Sequence, residues 1–231
     1  MLRRPLLIAS TMLLSTSAFA FNINDLSDND RVLFRQEVRD YLMQNPQVIL
    51  EAVASLERSQ AEQDAQTDLD LVSQNAAAIF DDGYSYVGGN PHGDITLVEF
   101  MDYRCGYCKK AFQDVEKLIT KDGNIRFIVK EFPILGDQSV LASRFVIAAR
   151  LEAGDEAYKA IHDGLMTLRG DLNLRALRRL ASALGYDAGA IEARMDDSAI
   201  TQELAATRAL AQKLKITGTP TFILEDEMLR G

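Results

Sequence analysis

The spacing of apolar residues divides the chain into stretches of different kind. Phe34, Val38, Tyr41 and Leu42 recur at helical spacing behind Asp25-Leu26-Ser27-Asp28, which can cap a helix. Asn45-Pro46 stops that helix and starts another, because proline is tolerated at a first helical position. Ile49, Val53 and Leu56 then form a narrow apolar stripe on an otherwise polar helix. From Ser59 to Gln74 the residues turn to Gln, Asp, Glu and Ser, which reads as a solvated helix or a linker. Tyr84-Ser85-Tyr86-Val87, ahead of Gly88-Gly89-Asn90-Pro91, predicts an edge strand and a turn.

Ile95 to Met101 is apolar and β-rich and predicts a buried strand. Phe112, Val115, Leu118 and Ile119 predict a helix after it, and Ile125 to Glu131 a second strand ended by Phe132-Pro133. Such a strand–helix–strand unit should be parallel with a right-handed crossover. From Ser139 to Lys215 the pattern is helical throughout. One helix carries Val140, Leu141, Phe145, Val146 and Ala149 and ends near Gly154, and a second carries Ala157, Ile161 and Leu165. Asn173 caps a third, which buries Leu174, Leu177, Leu180, Ala181 and Leu184 and is closed by Gly185. Ile191 and Met195 mark a short piece, and Leu204, Ala211 and Leu214 a last helix. Ile216 to Leu224 returns to strand character, and Glu225-Asp226-Glu227 turns into Met228-Leu229-Arg230.

A chain of 231 residues has room for one good-sized domain and an appendage, and 47% hydrophobic content supports a real core. The formal charge of −9 makes nucleic acid and anionic membrane surfaces poor partners. Met1 to Ala20 reads as a cleavable signal. Arg3-Arg4 form the charged start, Leu6 to Leu14 the apolar centre, and Ala18-Phe19-Ala20 the exit, with cleavage expected after Ala20. The expected location is therefore periplasmic, where disulfides persist.

Cys105-Gly106-Tyr107-Cys108 sits where the first buried strand hands over to its helix. A helix start offers unpaired backbone N–H groups and the positive end of the dipole, both of which favour a thiolate. Cys105, at the solvent side, is the expected nucleophile, and Cys108, one turn in, the resolving thiol. A zinc site would need four ligands at recognisable spacing. Beyond the pair the chain offers His92 and His162, which lack that spacing, and His162 reads as a packed or surface residue. A purely structural bridge across so short a loop would constrain the unfolded chain little. The pattern favours a redox-active disulfide, with neither metal nor organic cofactor required.

From about Tyr84 to Gly231 the sequence resembles the DsbA-like branch of the thioredoxin superfamily. The resemblance rests on the strand–Cys105-Gly106-Tyr107-Cys108–helix unit, the helical block, and Gly218-Thr219-Pro220-Thr221 opening a strand. It implies an α/β thioredoxin fold with an inserted helical domain at about 139–215, within a domain spanning 76–231. An α-helical N-terminal arm, 21–75, would precede it. It also implies a cis Thr219–Pro220 bond facing the redox pair, with Thr219 and Pro220 contacting an extended client. Glu99 is then the expected buried acid beneath the disulfide and proton acceptor for Cys108, with Lys130 as a candidate partner. The residue-level alternative is an exposed strand-edge glutamate.

The dipeptide Gly106-Tyr107 is similar to that of DsbC-type isomerases, whereas strongly oxidising DsbA proteins tend to have Pro-His. Tyrosine supplies no positive charge to the thiolate, which implies a weaker oxidant. Thr219 before Pro220 also follows the isomerase pattern. The arm resembles that of ScsC-like relatives, some of which oligomerise through it. Relatives generally continue past Gly231 into a helix packed on the sheet, and its absence leaves a fragment or a differently covered face as the expectation.

The expected function is protein thiol–disulfide exchange, as isomerase or reductase, with a DsbA-like dithiol oxidase as the alternative and a copper-binding thiol protein as the second. The expected partners are clients with cysteines or disulfides, a DsbD- or DsbB-like membrane redox protein, and further copies of the chain.

Overall fold

The computed structural model describes residues 27–231, so the leader expected at 1–20 and the start of the arm lie outside the described residues. The chain divides into two units, one through Arg58 and one from Ser59.

In the first unit, helix α1 (Asp28–Gln44) is capped by Ser27, whose hydroxyl accepts from the Asp30 N–H at 3.2 Å. Asn45 closes it through a bond to the Tyr41 carbonyl, and α2 (Gln47–Gln74) begins past Pro46, as the Asn-Pro pair predicts. No residue of α1 is buried, and Leu33, Phe34, Val38, Tyr41, Ile49, Leu50, Val53 and Leu56 are all exposed. The apolar stripe of α2 is therefore wider than the sequence period suggests, because Leu50 joins it. Ser59–Gln74 is helix rather than linker; its Ala, Glu, Gln and Leu favour helix wherever packing does not decide.

The second unit is built on a five-stranded sheet of order β1-β3-β2-β4-β5. These are β1 (Tyr86–Gly89), β2 (Ile95–Met101), β3 (Ile125–Glu131), β4 (Thr221–Leu224) and β5 (Glu227–Arg230). Strands β2 and β3 run parallel with Leu97 opposite Phe127 and Met101 opposite Glu131; every other pairing is antiparallel. Strand β1 starts two residues later than the pattern predicts. The Asp82 carboxylate takes the Tyr84 and Ser85 N–H groups and the Ser85 hydroxyl, holding that segment in a turn. Strand β4 likewise starts late, since Ile216 still bonds back to Ala211.

Because β2 and β3 are buried on both faces, their residues alternate between two cores. Leu97, Met101, Phe127 and Val129 face α4 (Gly106–Asp122), α5 (Asp137–Thr167), α6 (Leu174–Ala183) and α7 (Ala188–Arg194). Val98, Phe100, Ile128 and Ile223 face α3 (Ala76–Phe80), α8 (Ser198–Lys213) and Val72 at the end of α2. Helix α5 kinks at Gly154, whose φ of 83° is left-handed backbone that favours glycine. Gly89, also at positive φ, passes so close to the Ile125 carbonyl that a Cβ would lie 2.3 Å from it.

Candidate functional site

Cys105 is the N-cap of α4, with extended backbone, and its sulfur accepts from the Cys108 N–H at 3.3 Å. Its thiol donates to the Thr219 carbonyl at 3.0 Å, so the redox pair and the late Thr-Pro meet as the resemblance implies. The Thr219–Pro220 peptide is cis. Both cysteines are free thiols. Cys105 keeps 6% of its surface and Cys108 none, so solvent reaches the first as a sliver rather than an open face. Tyr107 is 75% exposed and points its ring away from the core, while Gly106 has open space where a Cβ would stand. Nothing in this structure crowds that position into being glycine.

Burial pushes the Cys108 thiol well above the usual thiol range; the Asp102 backbone opposes the shift, and Cys105 and the charge of Glu99 add to it. Glu99 itself is 2% exposed, and its Oε1 has no hydrogen-bond partner. Burial, then the charges of Glu131 and Glu116, push it up to about 8. A carboxyl so placed holds a proton near neutrality, close enough to the Cys108 thiol for its charge to act on it. The exposed strand-edge alternative for Glu99 does not hold.

Lys130 is not its partner. It is one residue out of step with Glu99 and so lies on the other face of the sheet, where its ammonium meets Asp82 at 2.5 Å and the Ala78 carbonyl at 2.9 Å. Burial lowers the lysine and Asp82 opposes that shift, which leaves a buried pair anchoring α3 to the sheet.

Two supports of the site carry no sequence motif. Asp102 is fully buried and accepts four bonds, from the Arg104, Ile134 and Leu135 N–H groups and the Ser139 hydroxyl, at 2.7–2.9 Å. It ties the turn entering Cys105 to the segment leaving β3. Glu131, also buried, accepts from the hydroxyls of Tyr103 at 2.8 Å and of Tyr158 and Ser143 at 2.6 Å. Tyr103 Oη also meets His162 Nδ1 at 2.9 Å, so His162 is a packed core residue, neutral because burial pushes it down to about 3. A charged residue ending each of two apolar strands was the available signal. Among the described residues, no group of three or more Cys, His, Asp and Glu is arranged to hold a metal.

Residues 96–231 match the DSBA-like thioredoxin domain family, and residues 30–63 match the copper resistance protein ScsC N-terminal domain. A thioredoxin-like oxidoreductase from Silicibacter pomeroyi is 39% identical, covering 67% of this chain and 88% of that one, with a TM-score of 0.64. Proteus mirabilis ScsC in a compact conformation is 28% identical, covering 85% and 96%, with a TM-score of 0.64. A periplasmic thioredoxin-like protein from Salmonella enterica serovar Typhimurium is 29% identical, covering 68% and 86%, with a TM-score of 0.61. Among curated relatives, the Na(+)/H(+) antiporter NhaA 1 of Salinispora arenicola is 28% identical over 146 residues, 63% of this chain. The chain spans only 22% of that protein's length, and among the described residues no helix is long and apolar enough to cross a membrane. The fold and the match over more than half the chain agree: the chain belongs to the DSBA-like thioredoxin domain family.

Proposed function

We propose that the chain is a periplasmic protein thiol–disulfide oxidoreductase that works chiefly as an isomerase or reductase. The observation that carries the reading is the contact of Cys105 with the carbonyl before cis-Pro220, which sets a reactive sulfur beside backbone able to pair with an extended client. In this reading Cys105 attacks a client disulfide, and the electron pair of the broken S–S bond leaves with the other client sulfur. Cys108 then resolves the mixed disulfide. Its proton passes to Glu99 in those molecules whose Glu99 carboxyl is ionised, a fraction that grows as pH rises toward about 8; its sulfur bonds to Cys105, and the client sulfur departs with the electron pair. Thr219 and Pro220 hold the client, and Gly106-Tyr107 contribute no positive charge to the thiolate.

The isomerase direction is supported by the exposed apolar residues of 28–58, which suit self-association into a homo-oligomer with several linked active sites. In the same reading residues 1–20 are a signal peptide, 21–75 the arm, whose stretch from Ser59 belongs to the second unit, and 76–231 the catalytic domain with its helical insertion at 139–215. A DsbD-like membrane donor would keep the pair reduced. Cys105→Ser should abolish insulin reduction, and a chain starting at Ser59 should reduce insulin but unscramble RNase poorly. Light scattering that finds a monomer, with unscrambling unchanged on truncation, would leave the dithiol-oxidase reading, in which a DsbB-like partner keeps the pair oxidised.

The match of 30–63 to a copper resistance protein domain keeps a second reading alive, Cu(I) held by the two thiols. That stretch contains no cysteine, so any copper would have to sit at Cys105 and Cys108. Titration of the reduced protein with Cu(I) against a competing chelator decides it, since failure to compete removes copper.

A further inference from the structure

Glu131 ends β3 on the same face of the sheet as Glu99, because Glu99 stands opposite Val129 and Met101 opposite Glu131. Strand spacing and rise put the two Cα positions about 8 Å apart. Both side chains are buried, yet they are treated oppositely. Glu99 leaves an oxygen bare, whereas Glu131 is satisfied by three hydroxyls drawn from the turn before Cys105 and from α5. Every bond at Glu131 is one it accepts, the arrangement that suits a carboxylate.

We propose that Glu131 is a positioning residue for thiol–disulfide exchange, one that keeps Glu99 protonated by standing beside it as a hydroxyl-caged negative charge. The inference rests on Glu99 serving Cys108 as its proton partner.

The surroundings agree. Burial pushes Glu131 up to about 7, while Ser143, Tyr158, Tyr103 and then Arg150 pull it down. Three donated hydroxyls favour the ionised form of Glu131, whereas Glu99 has an oxygen with no donor, and the Glu131 charge is among the causes that raise Glu99. Other titratable groups around the pair are Glu116 and Cys108 on α4, Arg150 on α5 and Glu203 on α8. Arg150 is itself bonded to Glu203 at 2.6 Å, which divides its attention between the two acids. His162, neutral, holds Tyr103 from behind, and the Tyr158 ring is fixed between Tyr86 and His162. The cage thus holds its hydroxyls in place with little freedom to turn away.

In the reverse of the resolving step, when the Cys105–Cys108 disulfide is reduced by an incoming thiolate, Cys108 leaves with the electron pair of the S–S bond and needs a proton. A protonated Glu99 supplies it, an ionised Glu99 takes it back in the forward step, and the Glu131 charge sets the pH at which one gives way to the other.

The test is a carbon-13 NMR titration of the Glu99 and Glu131 carboxyls in the full mature protein, oxidised. In Glu131→Gln the Glu99 midpoint should fall by about one pH unit, the size of a charge effect when the ~8 Å between the Cα positions stands for the charge separation at an effective dielectric of ~20, partly screened. Tyr158→Phe keeps the carboxyl but removes one hydroxyl, so the Glu131 midpoint should rise while the Glu99 midpoint falls. A merely structural role would not move the two in opposite directions. A Glu99 midpoint unmoved in folded Glu131→Gln overturns the proposal. So does a Glu99 midpoint that stays put in Tyr158→Phe, should the first variant not fold. The pH profile of the resolving step in Glu99→Gln separates this failure from that of the underlying reading. A profile unchanged there removes Glu99 as proton partner, and the proposal with it.

Discussion

Replacing Glu99 by glutamine should change how stability depends on pH more than it changes stability at any one pH. A carboxyl whose folded pKa is raised binds its proton more tightly folded than unfolded, so it costs nothing below the unfolded value of ~4.3. As pH rises, the unfolded chain ionises first and folding loses stability, until the folded pKa of about 8 is passed. Within that window the loss is about 1.4 kcal/mol per pH unit. Between pH 5.5 and 7.5 the wild type should therefore lose ~2–3 kcal/mol that the variant does not, and lifting the Glu99 charge from Glu131 works in the same direction. The glutamine amide will add its own cost of ~1–3 kcal/mol for a buried unpaired N–H, but that cost is the same at both pH values and drops out of the comparison. Urea unfolding of both proteins at pH 5.5 and 7.5, in one redox state, measures the difference of differences. Parallel behaviour across that range would refute the claim that Glu99 is buried and protonated.

Asp102→Asn should destabilise the protein by about 2–4 kcal/mol, because an amide NH₂ would face donors that now meet a carboxylate, and urea midpoints read this directly. Lys130→Met should cost ~3–5 kcal/mol by leaving Asp82 buried without its cation, and Lys130→Met with Asp82→Asn should recover much of it. Truncation to Ser59 should leave the melting temperature of the catalytic unit nearly unchanged, whereas truncation to Ala76 should lower its stability by roughly 2–4 kcal/mol. The shorter chain loses buried Val72 and the Asp68–Arg230 pair. Calorimetry of the two truncated chains compares them.

Much of this architecture can be read from residue spacing. The β2 and β3 runs are continuous and apolar because both faces are buried, and their bounds match the pattern residue for residue. Asn173 caps α6 with its side chain on the Ala176 N–H, and Gly154 breaks α5, both by chemistry that needs no tertiary partner. The sites where spacing fails are those decided by distant contacts. The turn before β1 is held by Asp82, itself engaged with Lys130 across the sheet. Lys130 looks like a partner for Glu99 on neighbouring strands, yet strand alternation sends their side chains to opposite faces. Asp102 and Glu131 carry chemistry only because α5 and the segment after β3 deliver hydroxyls and N–H groups to them, and no local pattern announces that.

The central claim is the division of labour between the two thiols, and the most direct measurement is trapping in the exporting cell. With Cys108→Ser the resolving step is lost, so mixed disulfides between Cys105 and client cysteines should accumulate and be found by mass spectrometry of the purified adducts. With Cys105→Ser none should form. Adducts formed through Cys108 in the Cys105→Ser protein, or none in Cys108→Ser, would contradict the account.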